Sequence, residues 1–289
     1  MSRRKGIVLA GGDGKRLYPI TVGTSKQLLS VYDKPMIYYP ISTLMLAGIK
    51  EIAIISKPEF TEQFKMLLGV GSQWGVEFTY IIQPEPKGLA EAFILAEDFL
   101  DGLSSAMILG DNIFHGANFR NLSAQALKIT EGAAVFSSRV FNPNRYGVPK
   151  LDKRGKITEI TEKPINPASN FAITGLYFLD SSAPDRAKDQ KPSIRGELEI
   201  VDLLQTYLSE NKLKNFIMRP EDAWFDVGTT DSLLDAGNFV KAFQKRQNCL
   251  VGCPDEIALN SGWIDCSKLK ENADLHAKSD YGIYLNKLI

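Results

Sequence analysis

Three glycines in four positions, Gly11, Gly12 and Gly14, with Asp13 among them and Lys15 and Arg16 directly after, are the residues of this chain best suited to chemistry. They follow the apolar run 7–10, so a buried strand feeds an open loop. Without Cβ atoms, successive backbone N–H groups can close around an anion, and phosphate is the obvious guest. Two familiar phosphate loops do not fit. A Walker A loop needs Gly at Leu9 and Ser or Thr at Arg16, and a dinucleotide fingerprint from Gly12 needs Gly or Ala at Leu17. Farther on, Lys26 offers a cation, and Asp111 and Asp226 each close an apolar run, in MILGD and AWFD. Mg2+ takes one or two protein carboxylates with phosphates and waters, so this pair could hold a metal if folding joins them; each could equally cap a turn. Arg16 and Lys26 could clamp a polyphosphate or be solvated surface cations, as most Lys and Arg are.

The elements that must position these groups alternate. Residues 35–47 read as a helix with Pro35 near its start, Pro40 inside and Gly48 at its end. EIAIIS is a strand, 59–68 a helix, VEFTYIIQ a strand, 88–100 a helix, and 104–111 a buried strand ending in a carboxylate. Such alternation implies parallel strands with helical crossovers, with ligands beyond the carboxyl ends of the strands. The glycine loop and Asp111 would then share one edge. After a helix at 118–130 and a strand at 133–140, two extended runs around 152–155 signal a hairpin and a mixed sheet. FAITGLYFLD, LKNFIMRP and AWFDVG read as strands, and ELEIVDLLQTYLSEN as a helix. TTDSLLDAGNFVKAFQKRQ reads as a long helix capped by Thr229 or Thr230 with Asp231, and the tail from Cys249 as short helical pieces. No linker, repeat or low-complexity tract interrupts the chain, so a single domain over 1–289 is expected.

Composition excludes several classes. Of 289 residues, 44% are hydrophobic and 24% charged, ordinary globular values that argue against disorder and membrane spans. Lys plus Arg equals Asp plus Glu at 34 each, so no global basic field points to nucleic acid or an anionic membrane as partner. MSRRKGIVLA has the look of a signal peptide, but its apolar run stops at Gly11; a cytoplasmic protein is expected. Cys249, Cys253 and Cys266, odd in number, and His115 and His276 make no recognised zinc spacing, so the cysteines are read as reduced thiols.

LAGGDGKRL, with Lys26 in SKQLL, resembles the signature of the sugar-nucleotide pyrophosphorylases. The likeness continues through YDKPMIYYPISTLMLAGI, IIQPEPKGLAEAF, ILGDNIFHG, NRYGV, ITEKP, RGELEI and WFDVGT, nearly the whole chain, and is closest to the short glucose-1-phosphate thymidylyltransferase branch. The resemblance implies a three-layer α/β/α, Rossmann-like mixed sheet of the nucleotide-diphospho-sugar transferase type. Residues 1–130 would form mainly a nucleotide half, 131–248 mainly a sugar half and 249–289 a helical extension. It implies transfer of a thymidylyl group from dTTP to glucose 1-phosphate, giving dTDP-glucose and pyrophosphate, in a homotetramer serving deoxysugar pathways such as dTDP-rhamnose for surface polysaccharide.

Carried onto this sequence, the resemblance makes Arg16, Lys26, Lys163, Asp111 and Asp226 catalytic, with Mg2+ on Asp111 and Asp226. Nucleotide contacts fall at Leu9, Gly11, Gly12, Gly14, Arg16, Lys26, Gln27, Gln83, Gly88 and Asp111, with Gln83 and Gly88 at the base. Sugar-phosphate contacts fall at Asn112, Gly147, Glu162, Lys163, Ile173 and Arg195. A Gln amide both donates and accepts, which suits the imide edge of thymine or uracil alike. Uridylyl transfer, another hexose 1-phosphate, or a non-catalytic sugar-nucleotide sensor are the alternatives. The chain departs from the branch pattern at Lys15, Ser30, Val201 and Val227, and Asn260 stands where an Arg is common in a segment that binds end-product sugar nucleotide. Lys15, Ser30, Val201 and Val227 remove no proposed charge.

Overall fold

The computed structural model describes residues 4–289; Met1, Ser2 and Arg3, which open the leader-like stretch considered above, lie outside the described residues. Strand β1 (Arg4–Ala10) alternates its side chains between two apolar clusters, Val8 and Ala10 into one and Ile7 and Leu9 into the other. A strand apolar on both faces belongs in the middle of a covered sheet. A two-residue ribbon, β2 (Ser30–Val31) with β3 (Lys34–Pro35), leads to α1 (Tyr38–Leu46), then β4 (Glu51–Ser56), α2 (Pro58–Leu68) and β5 (Glu77–Ile82). There follow α3 (Glu91–Leu95), α4 (Glu97–Leu100), β6 (Ser104–Leu109), β7 (Asn112–His115), α5 (Ala117–Ala126) and β8 (Ala133–Arg139). The second half runs through β9 (Gly147–Leu151), β10 (Ile157–Glu162), β11 (Phe171–Leu179), α6 (Ala183–Lys188), α7 (Ile200–Ser209), β12 (Leu213–Ile217), β13 (Ala223–Asp226) and α8 (Thr230–Gln247). Three helices close the chain: α9 (Pro254–Asn260), α10 (Cys266–Leu275) and α11 (Asp280–Asn286).

The seven-stranded sheet has the order β12-β8-β11-β6-β1-β4-β5. It is parallel except at β11, which runs antiparallel to both β6 and β8. Helices α1, α2, α5 and α9 bring Leu44, Phe64, Phe119 and Ala258 to the cluster on one face; α3, α4, α6 and α7 bring Phe93, Leu100, Ala187 and Leu204 to the other. The expected three-layer mixed α/β architecture is therefore observed.

Local expectations hold with shifts that have local causes. Pro40 sits in the first turn of α1, where backbone N–H groups have no intrahelical partner, and the helix is unbroken. Residues 88–100 form two short helices that meet at Ala96, and Gly88, at φ +105° and packed against the Leu198 backbone, delays the start to Glu91. The strand expected through Asp111 ends at Leu109, and Asn112–His115 forms a separate ribbon with β13. Thr229 caps α8 reciprocally with Ser232, not with Asp231.

Candidate active site

Parallel strands put their carboxyl ends on one side, and across β6-β1-β4-β5 those ends carry, in order, Asp111, the glycine loop, Lys57 and Gln83. At about 4.8 Å between neighbours, this row spans roughly 14 Å. The loops are tied together: Gly110 N–H donates to Leu9 O at 2.9 Å, and Gln83 N–H to Ser56 O at 2.8 Å. Gly14, at φ +63°, makes the turn that starts the short helix Lys15–Leu17 and so carries Arg16. Asp13 pairs with both Lys57 and Lys15, the latter at 2.8 Å, and these hydrogen bonds hold its carboxyl below the usual range. Lys15 thus faces Asp13, and the space at Gly12 is open.

Asp111 and Asp226 meet through the β7–β13 ribbon. Asp226 pairs in register with Asn112, and Val227 N–H donates to Asp111 O at 3.0 Å. Lys26 Nζ is ion-paired to Asp111 Oδ2, both side chains being nearly buried. Arg145 approaches Asp226 Oδ2 at 4.0 Å, and the Arg16 guanidinium lies against Gly228. Burial first, and then the charge of Asp111, push Asp226 up to about 6, against the pull of Lys26, Arg16 and Arg145.

This pair stands at a cavity of ≈ 550 Å³ that runs into the second half of the chain. Of the expected residues, Arg16, Asp111, Asn112, Gly147, Glu162, Lys163, Ile173 and Asp226 line it. Gly147 and Glu162 face each other in the β9–β10 ladder, and Lys163, held at φ +42° by the turn out of β10, lies 3.2 Å from Glu162. Arg195 does not line the cavity; it braces Glu199 at 2.8 Å and Glu162 at 3.5 Å from one side. Asn112 Oδ1 accepts from Trp224 Nε1 at 2.6 Å and from Gly175 N–H at 3.1 Å, the latter in a bulge of β11 between Ile173 and Tyr177. Leu9, Gly11, Gly12, Gly14, Lys26, Gln27, Gln83 and Gly88 lie outside the cavity wall, on the glycine-loop side or beneath it. Gln27 is buried, accepts from Ser25 Oγ at 2.6 Å, and packs under Gly110.

Arg145, Tyr146, Trp224 and Glu199 line the cavity and were not picked out by sequence reasoning. A signal existed for Trp224, since it sits two residues before Asp226 on a strand and so shares its face. Val201 packs its Cγ2 on Gly147, and Val227 is fully buried beside Ile113 and Val31, so both departures from the branch pattern serve as apolar packing. Ser30 is exposed in β2. Asn260 lines a separate cavity of ≈ 580 Å³ between α1, α5 and α9. All three cysteines are free. Among the described residues no helix is long and apolar enough to cross a membrane.

A sheet that gathers cations and two carboxylates at its carboxyl edge, beside a cavity that also presents Arg145, Glu162 and Lys163, is the layout of a phosphate-transfer enzyme. Residues 5–242 match the nucleotidyl transferase family, and the chain belongs to it. Its curated relatives are more particular. The chain is 52% identical over 288 residues, covering 100% of itself and 98% of the relative, to a glucose-1-phosphate thymidylyltransferase of Xanthomonas campestris pv. campestris (strain B100). Proteins of that name from Neisseria meningitidis serogroup A and Mycobacterium tuberculosis are 50% and 45% identical, each over 99% of both chains. A crystal structure from Bacillus anthracis, in complex with a sucrose, superposes with a TM-score of 0.76 at 42% identity, covering 82% of this chain and 94% of that one. A UDP-glucose pyrophosphorylase structure at 24% identity and TM-score 0.72, covering 84% and 99%, shares the fold.

Proposed function

We propose that this chain transfers a thymidylyl group from dTTP to glucose 1-phosphate, yielding dTDP-glucose and pyrophosphate. The observation that carries the reading is the buried Asp111–Asp226 pair beside Lys26 and Arg16, opening on the cavity, in a chain similar end to end to enzymes of that name. A phosphate oxygen of glucose 1-phosphate forms the new bond to the α-phosphorus. The bond from that phosphorus to the bridging oxygen breaks, and its electron pair leaves with pyrophosphate. No base is required, because a phosphate monoester with a second pKa near ~6 is already largely ionised.

The chain's residues position and neutralise. Arg16, at the end of the glycine loop, and Lys26, beside Asp111, face the triphosphate, Arg16 with paired N–H donors and Lys26 as a point charge. Lys163 holds the sugar phosphate, with Arg195 as the second cation behind Glu162 and Glu199, and Glu162, Asn112, Gly147 and Ile173 surround the hexose. Gln83 and Gly88 meet the base, with Leu9, Gly11, Gly12, Gly14 and Gln27 shaping the nucleotide path. Two adjacent carboxylates, one of them pushed up by burial and by its neighbour's charge, suit a hard divalent cation whose other ligands are phosphates and water, so Asp111 and Asp226 would hold Mg2+. When bound, the ion would neutralise charge developing on the phosphates. We read the chain as one unit with a nucleotide half, a sugar half and a helical extension. In the same reading it is cytoplasmic and homotetrameric and supplies dTDP-rhamnose synthesis. Because Asn260 stands where an Arg is common, regulation by a dTDP-sugar is a weaker carry-over than catalysis.

The test is pyrophosphate release with Mg2+, comparing dTTP with UTP and glucose with galactose and mannose 1-phosphates. Preference for dTTP and glucose is the expected result. Equal or better use of another pair would move the chain to a different branch, and no release with any pair would mark it as a non-catalytic sensor.

A further inference from the structure

Gln83 is almost fully buried at the end of β5, yet the two ends of its amide are treated differently. One end donates to Glu91 Oε2 at 2.7 Å. The same carboxylate oxygen accepts from Lys87 N–H at 3.1 Å, one residue before Gly88. An ionised carboxylate can only accept, so the Gln83 atom facing Glu91 must be the NH2 group, whichever way the amide would otherwise turn. The carbonyl oxygen is therefore forced to the opposite side. There it lies against Gly11, where any Cβ would overlap it, and among the described residues no donor reaches it.

We infer that Glu91 is a positioning residue that locks Gln83 with its oxygen toward the nucleotide, so that this site selects bases presenting a ring N–H. The inference rests on the reading of Gln83 as the base contact. Thymine and uracil offer N3–H to such an acceptor. Cytosine places the lone pair of N3 there, and two acceptors facing each other leave both unpaired in a buried site. Because Glu91 also fixes the Lys87 N–H, one carboxylate sets both the amide and the turn into Gly88.

The experiment compares Glu91→Gln and Glu91→Ala with the unaltered protein. Binding of dTTP and dCTP is measured by calorimetry, and kcat and KM for both by pyrophosphate release with glucose 1-phosphate and Mg2+. Melting temperatures monitor folding. Glu91→Gln can accept or donate, and Glu91→Ala does neither, so in both variants the Gln83 amide can turn. The dTTP-to-dCTP preference is expected to fall about tenfold, in KM more than in kcat, as one hydrogen bond of orientation is lost. A folded variant of either kind that keeps its preference within twofold overturns the inference, as does an unaltered protein that binds both nucleotides alike. An unaltered protein that prefers dTTP in binding but releases no pyrophosphate would sink the proposed function and leave the clamp standing.

Discussion

Burial and the neighbouring charge of Asp111 make the Asp226 carboxyl hold its proton above the ordinary carboxylate range. Its ordinary value is 3.8 and the fold raises it to about 6. Between those values the folded protein keeps a proton that the unfolded chain has released. Ionised Asp226 therefore weakens the metal-free fold fully above about pH 6, and this penalty disappears as pH falls to 3.8. In EDTA at pH 7.5, Asp226→Asn is expected to melt at or above the unaltered protein, with the gap narrowing below about pH 6 and closing only as the pH falls to 3.8. Its turnover with Mg2+ should fall by roughly a hundredfold or more, the scale of losing one charge-stabilising group. A variant that unfolds or aggregates would show Asp226 to be a structural tie.

At the scale of elements, the site depends on the turn that joins β13 to α8. Thr229 Oγ1 accepts from Ser232 N–H at 3.2 Å, and Ser232 Oγ accepts from Thr229 N–H at 2.9 Å, three residues after Asp226. Gly228 N–H returns to Asp226 O at 2.9 Å, so the cap and the carboxylate belong to one turn. Thr229→Ala should cost about 1 kcal/mol of stability. Turnover should drop more than KM changes, because the metal carboxylate and not a substrate contact is loosened. Chemical denaturation with steady-state kinetics checks both; an unchanged kcat would separate the cap from the site.

Across the whole molecule, the C-terminal helices are joined to the nucleotide side by Asp255. This buried carboxylate accepts from Trp74 Nε1 at 2.9 Å, Asn272 Nδ2 at 2.7 Å and the Tyr281 hydroxyl at 2.7 Å. Around it, Cys253 donates to Tyr281, and burial pushes its thiol up to about 12, so it is an inert packing group. Asp255→Ala leaves three buried donors unmet and should lower stability by roughly 3 kcal/mol or more. Limited proteolysis should then cut within residues 261–289 before the remainder; resistance equal to the unaltered protein would mean that α10 and α11 dock by apolar contact alone.

Much of this molecule is local in origin. The apolar run into Gly11, the strand and helix periods, and the Pro and Gly punctuation each act over a few residues. They determine which segments become strands and that the parallel edge carries the glycine loop and Asp111. The density of motifs likewise marked the residues around the cavity. What no local pattern contains is pairing between distant strands. Asp226 reaches Asp111 only because β13 zips onto β7, a four-residue strand with no separate signal of its own. Arg145 becomes a site residue only when the turn before β9 comes to face Asp226, and the oxygen of Gln83 acquires a direction only when Glu91 takes its amide nitrogen. Side-chain charge and hydrogen-bond direction depend on which groups share a buried space, and only the tertiary structure decides that.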